Sequence, residues 1–234
     1  MTEDSGVATP FEFAPHDPPV MHPEIPALEA VIGPQVEDFV VDEIPLYAAS
    51  GAGEHVYVRV EKRGYTTPAM VRAVTRAAGV DERDVGYAGL KDKHAVTRQW
   101  LSLPNKARAP SEWQLPEGIS VVEHTRHANK LRTGHLLGNR FCITLVTPDV
   151  GALEKATPLS ELLKVSGVYN YYGGQRFGRR GDGLRQAMVW LREGAKLHGM
   201  PRFLTKLYPS VIQAEAFNRY FSARRAIGMA RVIA

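Results

Sequence analysis

The sequence predicts a mixed α+β fold that is strand-rich in its first part and helical in its last. Segments in which apolar and polar residues alternate, as they do in half-buried strands, recur between residues 37 and 147. Apolar residues at helical spacing dominate from residue 159 onwards. No internal repeat is visible, and 234 residues are enough for one or two domains with a sizeable core.

The strand segments are recognised by alternation and by their β-branched and aromatic residues. In the clearest case Val56, Val58 and Val60 share one face and have polar residues between them. Cys142 lies in another strand segment and is expected to be buried, as free cysteines usually are. The six segments are EDFVVDEI (37–44), HVYVRVEK (55–62), DVGYAGL (84–90), AVTRQWLSL (95–103), ISVVEHTRH (119–127) and NRFCITLVT (139–147).

The first helix is predicted over residues 64–80. Thr67 can cap its N-terminus, Pro68 suits its first turn and Gly79 suits its exit. A glycine-rich loop, YNYYGGQRFG (169–178), interrupts the later helical region. The other helical segments are LSELLKV (159–165), GLRQAMVWLREGAKL (183–197) and VIQAEAFNRYFSARRAIGMARVIA (211–234).

The distribution of prolines predicts a disordered leader. Residues 1–30 hold six of the sixteen prolines and show no periodicity, so folded structure is expected to begin near Val31. At the other end, the last helix stops at Ala234 while apolar residues such as Val232 and Ile233 still need a partner. We interpret this as a chain cut within a domain. The alternative is a natural terminal helix that docks on the body.

Several function classes lose support from the sequence. The net charge of +4 is a mild excess, the chain has no run approaching the roughly 18 apolar residues of a membrane span, and it has no signal-peptide pattern. The single cysteine permits no internal disulfide and favours a reducing compartment. Motifs for zinc binding, nucleotide-phosphate binding and serine hydrolysis are absent. The eight histidines lack metal-ligand spacing, so no metal is expected.

Two basic segments are candidate binding sites. Residues 124–140 hold four Lys or Arg residues and no acid, and residues 175–185 hold four arginines against one aspartate. Cations interleaved with aromatic rings suit RNA phosphates and a stacked base, although either segment alone could be a solvated loop. The residues concerned are Arg126, Lys130, Arg132 and Arg140 in the first segment, Arg176, Arg179, Arg180 and Arg185 in the second, and the nearby rings of Tyr169, Tyr171, Tyr172 and Phe177.

A lone acid lies between two lysines in YAGLKDKHAVTRQW (87–100), which joins two predicted strands. Lys91 and Lys93 flank Asp92, and neighbouring ammonium groups favour the ionised form of a carboxyl group. In a fully exposed turn such pairs contribute only about 0–1 kcal/mol and indicate little. At the floor of a basic cleft they would maintain a charged nucleophile. Composition leaves both interpretations open.

Residues 87–100 resemble the active-site motif of the TruD family of tRNA pseudouridine synthases. Five further segments resemble other signature segments of that family, in the same order, and the resemblance covers residues 31–234. Several long motifs in order are a far more specific signal than one short pattern. The five segments are EDFVVDE (37–43), GEHVYVRVEKRGYTT (53–67), HANKLRTGHLLGNRF (127–141), NYYGGQRFG (170–178) and SVIQAEAFNRYFSAR (210–224).

The resemblance implies a pseudouridine-synthase-like mixed sheet with flanking helices, plus the start of an inserted α/β domain. Residues 31–195 would be the N-terminal part of the catalytic core, and residues 196–234 the truncated beginning of the inserted domain. The implied reaction converts uridine to pseudouridine, chiefly at position 13 in the D arm of certain tRNAs. It uses no cofactor and no metal. The implied partner is tRNA, and we expect a cytoplasmic monomer.

The resemblance also assigns roles to individual residues. The catalytic aspartate of the family falls on Asp92, which would attack C1′ of the sugar or take part in a glycal route. The target uridine must leave its stack, and an aromatic ring can then stack on the flipped base. The residues expected to bind the substrate nucleoside are Lys91, Asn170, Tyr172, Gln175, Arg176 and Phe177. The residues expected to bind RNA elsewhere are Lys93, His94, Arg98, Arg126, Lys130, Arg132, Arg140, Arg179 and Arg180.

The chain departs from the family's pattern at three positions. Gly33 stands where the family usually has a lysine, Val36 replaces a proline, and Tyr172 stands where phenylalanine is usual. A positive charge near the site is therefore expected to be missing, and the added hydroxyl either pairs with the base or needs a partner of its own. Two alternatives to an enzyme stay open. One is a truncated, non-catalytic RNA-binding remnant of the same family, and the other is a protein-interaction domain with core aromatics and surface arginines.

Overall fold

The computed structural model describes residues 15–178, 182–195 and 199–228. Its contacts divide the chain into two compact units. One unit comprises residues 28–152, and the other comprises the residues up to 27 together with those from 153 onwards. The first unit contains two sheets and one α-helix, and the second is helical. The predicted mixed α+β class is confirmed.

The strands of the first unit form one large sheet and one small one. The large sheet has the spatial order β6-β3-β5-β2-β7, with β4 paired to β5, and the small sheet pairs β1 with β8. Strands β2 and β5 run parallel, whereas the other pairs are antiparallel. The strands are β1 (Val31–Ile32), β2 (Phe39–Pro45), β3 (His55–Arg63), β4 (Gly86–Tyr87), β5 (Val96–Pro104), β6 (Ile119–His127), β7 (Leu136–Ile143) and β8 (Leu145–Val146).

One helix, α1 (Thr67–Ala78), covers one face of the large sheet. The alternating valines predicted for β3 point to this face, where Val58 and Val60 are fully buried against Met70 and Val74 of the helix. Burying an apolar side chain of this size stabilises the fold by about 1.5–3 kcal/mol. The core of the first unit therefore lies between α1 and β3, β5 and β6.

The ends of α1 agree with the sequence at one end and differ at the other. Gly79 adopts the left-handed conformation (φ 71°) expected of a helix exit. The N-cap, however, is Thr66, whose side chain accepts the N–H of Ala69 at 3.2 Å. The prediction that Thr67 caps the helix is wrong, because the Thr67 hydroxyl donates instead to Gln99 at 3.0 Å.

The second unit is built around a long helix. Phe177, Leu184 and Ala187 pack against Val211 and Ala214 of this helix, and all five are buried. The segment predicted as a short helix at 159–165 belongs to a helix of 15 residues. The helices are α2 (Ala152–Ser166), α3 (Gly174–Phe177), α4 (Asp182–Arg192) and α5 (Arg202–Ile227).

Two expectations meet different observations. Cys142 is exposed rather than buried, because it lies on β7, the last strand in the sheet order, and has a strand neighbour on one side only. The two units divide near residue 152, whereas the sequence placed a boundary at residue 195. The assignment of 31–195 to a catalytic core and 196–234 to an inserted domain therefore stays a prediction.

The predicted disordered leader falls only partly within the described residues. Residues 1–14 lie outside the described residues. In the described part, the backbone N–H of His16 donates to both carboxylate oxygens of Glu215 on α5, at 3.1 and 3.0 Å. Across the described ranges, no helix combines the length and apolarity that crossing a membrane requires.

Candidate active site

Asp92 lies in the loop between β4 and β5, and it is exposed. The strand β4 pairs with one end of β5 through Tyr87 and Leu101, while β2 pairs with the other end of β5. The loop that carries Asp92 therefore connects β4 to β5 at the middle of the sheet. A carboxylate in this position is accessible to a large substrate and is supported by the most central strands of the unit.

Buried side chains hold the backbone on the N-terminal side of Asp92. The N–H of Lys91 donates to the Thr67 hydroxyl oxygen at 2.9 Å, and that hydroxyl donates to Gln99 Oε1 at 3.0 Å. The Gln99 amide returns to the loop by donating to the carbonyl oxygen of Gly89 at 3.1 Å. Thr67 and Gln99 are fully buried. The loop is therefore tied both to the start of α1 and to β5.

A third buried side chain holds Asp92 itself. Lys62 is 0 % exposed, and its Nζ donates to the backbone carbonyl oxygen of Asp92 at 2.6 Å. Burial lowers the pKa of Lys62 to about 8, the Asp92 carboxylate opposes this shift, and the neighbouring Lys91 ammonium adds to it. The backbone that carries the Asp92 carboxylate is thus held in place by the buried ammonium group of Lys62.

The lowered pKa of Lys62 predicts a pH dependence of stability. In the unfolded chain Lys62 keeps its proton up to its ordinary pKa of 10.5, but in the folded chain it loses the proton near pH 8. The unfolded state therefore binds more protons between these values, and the free energy of unfolding gains a component that rises from pH 8 towards 10.5. Urea denaturation of the wild type and Lys62→Met at several pH values checks this. We expect the rise to be weaker in the variant, and parallel curves would contradict it.

Lys91 has a buried partner far away in the sequence. Its Nζ lies 2.7 Å from Glu43 Oε2, and the two side chains are 5 % and 1 % exposed. The other oxygen of Glu43 accepts the backbone N–H of Trp100 at 3.2 Å. The sequence predicts that the Lys91 ammonium group lies near Asp92 and binds the substrate, but the structure places that group against Glu43. Its contribution is to fix the loop on β2.

The cations predicted to bind RNA differ in their availability. Arg98 is half-buried, with its Nε 2.8 Å from Glu61 and its Nη1 3.2 Å from Asp42. Arg126 donates to Asn105 Oδ1 at 2.6 Å, and Lys130 donates to the carbonyl oxygen of Arg83 at 2.8 Å. The structure thus places Arg98 in an internal network and gives Arg126 and Lys130 contacts within the protein.

Four of the predicted RNA-binding cations remain available to a ligand. They are exposed, and within the described ranges their side chains have no hydrogen-bond or carboxylate partner. Two other cations predicted to bind RNA, Arg179 and Arg180, lie outside the described residues. The four available residues are Lys93, His94, Arg132 and Arg140.

The second unit presents the aromatic loop. Tyr172 is 41 % exposed, and the guanidinium carbon of Arg176 lies 5.2 Å from the centre of its ring. Asn170 is exposed nearby in the sequence. The loop borders an open cavity of about 490 Å³, which is large enough for a nucleoside. The cavity is lined by Tyr171, Tyr172, Gly173, Gln175, Arg176 and Leu207.

Phe177 was expected to contact the substrate, but the structure places it in the core. It is 2 % exposed and packs with Leu184, Val211 and Ala214. Its ring therefore anchors the end of the loop and is not at a surface that a nucleoside can reach.

Among the described residues there is no group of three or more His, Cys, Asp or Glu side chains that could hold a metal ion.

Comparison with known protein families supplies the deciding observation. Residues 23–183 match the family model of tRNA pseudouridine synthase D (TruD). The chain belongs to the TruD family. This membership confirms the resemblance that the six motifs carried.

Relatives named tRNA pseudouridine synthase D match most of the chain. The Anaeromyxobacter sp. (strain Fw109-5) protein is 44% identical over 218 residues, which are 91% of this chain and 61% of that protein. A Thermus thermophilus protein is 38% identical over 218 residues, which are 93% of this chain and 60% of that protein. The chain thus spans about three fifths of the length of these curated TruD relatives.

A solved structure supports the fold. A Methanosarcina mazei protein, described as a candidate tRNA pseudouridine synthase D, superposes with a TM-score of 0.56. The alignment covers 86% of this chain and 49% of that chain, at 23% identity. The likeness therefore concerns the fold, and it agrees with a TruD arrangement of a mixed sheet and flanking helices.

The departures from the TruD pattern have local consequences. A Cβ at Gly33, where a lysine is usual, would overlap the Asp38 carboxylate, which accepts the N–H of Gln35 at 2.8 Å. The chain has no room for a lysine there unless Asp38 moves. The hydroxyl that distinguishes Tyr172 from the usual phenylalanine has no hydrogen-bond partner in the described part of the chain.

Sequence reasoning missed Lys62 and Glu43 as parts of the site. The alternation of inward and outward residues along β3 and β2 indicates both positions. Lys62 continues the series of Val58 and Val60, and Glu43 lies two residues after the buried Val41. A charged residue on the inward face of a strand usually has a buried partner, so it indicates a buried ion pair or hydrogen-bond network.

Proposed function

We propose that this chain isomerises uridine to pseudouridine in tRNA, at uridine 13 of the D arm, with Asp92 as the nucleophile. Membership of the TruD family supports the reaction class. The observation that carries the proposal is an exposed carboxylate at Asp92 on a backbone held by the buried side chains of Lys62, Thr67 and Gln99. A monomeric state and a cytoplasmic location belong to the same proposal.

The proposed chemistry needs one carboxylate and no redox group. The Asp92 carboxylate attacks C1′, and the C1′–N1 bond breaks so that uracil leaves with the bonding electrons. After the detached base rotates, C5 attacks C1′ and displaces the carboxylate. The proton on C5 is lost and N1 gains one, so the product is an isomer of the substrate. In a glycal route the carboxylate would take part by proton abstraction from the sugar instead.

Fixing the loop that carries Asp92 favours the attack of its carboxylate on C1′. A nucleophile that is already placed loses little conformational freedom when the reaction begins, and positioning of this kind lowers barriers by several kcal/mol in well-arranged sites. Three buried side chains bind the loop backbone at Gly89, Lys91 and Asp92. All of these hydrogen bonds engage main-chain atoms of the loop.

The aromatic loop supplies the contacts for a flipped base. Extruding a uridine costs a few kcal/mol, and stacking on an aromatic ring returns about 1–3 kcal/mol per base. The partly exposed ring of Tyr172 offers such a surface, and Gln175 and Arg176 border the same cavity. Lys93, His94, Arg132 and Arg140 are suited to phosphate contacts, which give RNA binding its salt dependence.

The proposal is tested with an unmodified tRNA transcript that has uridine at position 13, and with a matched transcript that has cytidine there. We expect the purified chain to convert the uridine at position 13 to pseudouridine in the first transcript and to modify nothing in the second. Binding of both transcripts without any conversion would overturn the proposal and favour the RNA-binding remnant. Conversion at another position would overturn the choice of target uridine.

A further inference from the structure

A fully buried amide holds the backbone of Tyr172. Asn218 lies in the middle of α5 and is 0 % exposed. Its Oδ1 accepts the backbone N–H of Tyr172 at 3.0 Å, and its Nδ2 donates to the backbone carbonyl oxygen of Tyr172 at 2.9 Å. One side chain thus satisfies both main-chain polar groups of one loop residue, as a paired strand would.

The neighbouring residue on the helix contacts the ring of the same tyrosine. Phe217 meets the Tyr172 ring edge-on, with centroids 5.7 Å apart and an interplanar angle of 82°. Phe217 also stacks on Phe221 at 5.5 Å, and Phe221 contacts the ring of Tyr171 at 5.0 Å. Consecutive residues of α5 therefore fix both the backbone and the ring of Tyr172, while part of that ring stays exposed.

Only an amide side chain of this length can make both contacts. Aspartate could accept the Tyr172 N–H but would place a carboxylate oxygen against the Tyr172 carbonyl, and alanine can make neither bond. Losing a partner in a buried place leaves a main-chain group unsatisfied, which is more costly than the bond itself is stabilising. The Tyr172 backbone would then be free to leave α5.

We infer that Asn218 is a positioning residue that sets the Tyr172 ring for stacking on the flipped base. The inference rests on the proposed function, because it assigns Asn218 a role through the ring that this function uses. The loop around Tyr172 continues with Gly173, which restricts the backbone little, and α3 begins at Gly174. A ring in such a loop offers a defined stacking surface only if something outside the loop holds it, and Asn218 does this.

The test is a double-mutant cycle on tRNA affinity, combined with hydrogen exchange. We expect Asn218→Ala to speed exchange of the Tyr172 amide about tenfold or more, since it removes the acceptor of that N–H. We also expect it to weaken tRNA binding about tenfold, within the usual worth of a stacked base. In a Tyr172→Ala background the same change should alter affinity less than about twofold. Gln213→Ala, an exposed change on the same helix, should alter neither measurement.

Each outcome decides between a positioning role and a structural one. Unchanged exchange at Tyr172, or an equal loss of tRNA affinity with and without the Tyr172 ring, would overturn the inference. If Asn218→Ala does not fold, Asn218→Asp, which loses only the donor to the Tyr172 carbonyl oxygen, takes its place in the affinity cycle. Because the cycle measures binding, coupling between the two residues without any pseudouridine formation would overturn the proposed reaction alone. Absence of tRNA binding by the wild type would overturn both.

Discussion

Replacing Asp92 with asparagine is expected to abolish pseudouridine formation while leaving the fold and the tRNA affinity nearly unchanged. The amide has the same shape as the carboxylate but is uncharged and a poor nucleophile. We expect the rate to fall at least about a thousandfold, which corresponds to a barrier about 4 kcal/mol higher. The measurement is single-turnover conversion of a tRNA transcript, together with tRNA affinity measured under the same conditions.

The Asp92→Asn variant has a matched control in the same unit. Asp81 is an exposed carboxylate that pairs with Arg83 at 3.2 Å on the surface. Asp81→Asn should therefore leave the rate within about twofold of the wild type, because exposed pairs of this kind contribute at most about 1 kcal/mol. Conversion by Asp92→Asn at the wild-type rate would show that this carboxylate is not the nucleophile.

Replacing Glu43 with alanine is expected to cause a large loss of stability. The change leaves the buried Lys91 ammonium and the part-buried Trp100 N–H without their acceptor. Removing one partner of a buried ion pair costs about 3–5 kcal/mol, because the remaining charge is left uncompensated. Urea denaturation followed by tryptophan fluorescence measures the free energy of unfolding.

Two controls separate burial from charge in the Glu43→Ala experiment. Glu37 pairs with Arg63 at 3.0 Å in the same unit but is 57% exposed, so Glu37→Ala should cost less than about 1 kcal/mol. Adding Lys91→Met to Glu43→Ala removes the stranded charge and should recover much of the loss. A Glu43→Ala cost as small as that of Glu37→Ala would contradict the buried pair.

The elements that depend on local pattern were predictable from the sequence. The alternation of Val56, Val58 and Val60 predicts the strand and its buried face, and both are observed in β3. The exit of α1 at Gly79 also follows from local chemistry. These predictions succeed because the deciding interactions lie within a few residues of one another.

The supports of Asp92 depend on pairing between distant segments. Lys91 and Glu43 are 48 residues apart, and they meet because β2 runs parallel to β5. The sequence carries no local signal for that pairing, since a parallel neighbour requires a long connection. The flanking lysines therefore suggested that Lys91 serves Asp92, while the fold gives its ammonium group to Glu43.

Cross-strand register also explains why the basic segments were only partly informative. Register places Arg98 of β5 opposite Asp42 of β2 and Glu61 of β3, and opposite charges on directly facing residues pair. A count of cations along the chain cannot reveal such neutralisation. Lys93 and Arg132 are not neutralised in this way because they lie in loops and not on paired strands.

Release of tritium from C5 of uridine in 5-tritiated tRNA tests the central claim most directly, because the proposed exchange of C1′ from N1 to C5 must expel that hydrogen. We predict that the wild-type chain releases tritium from the uridine at position 13 and that Asp92→Asn, bound to the same tRNA, releases none. Equal release by the two proteins would contradict the account.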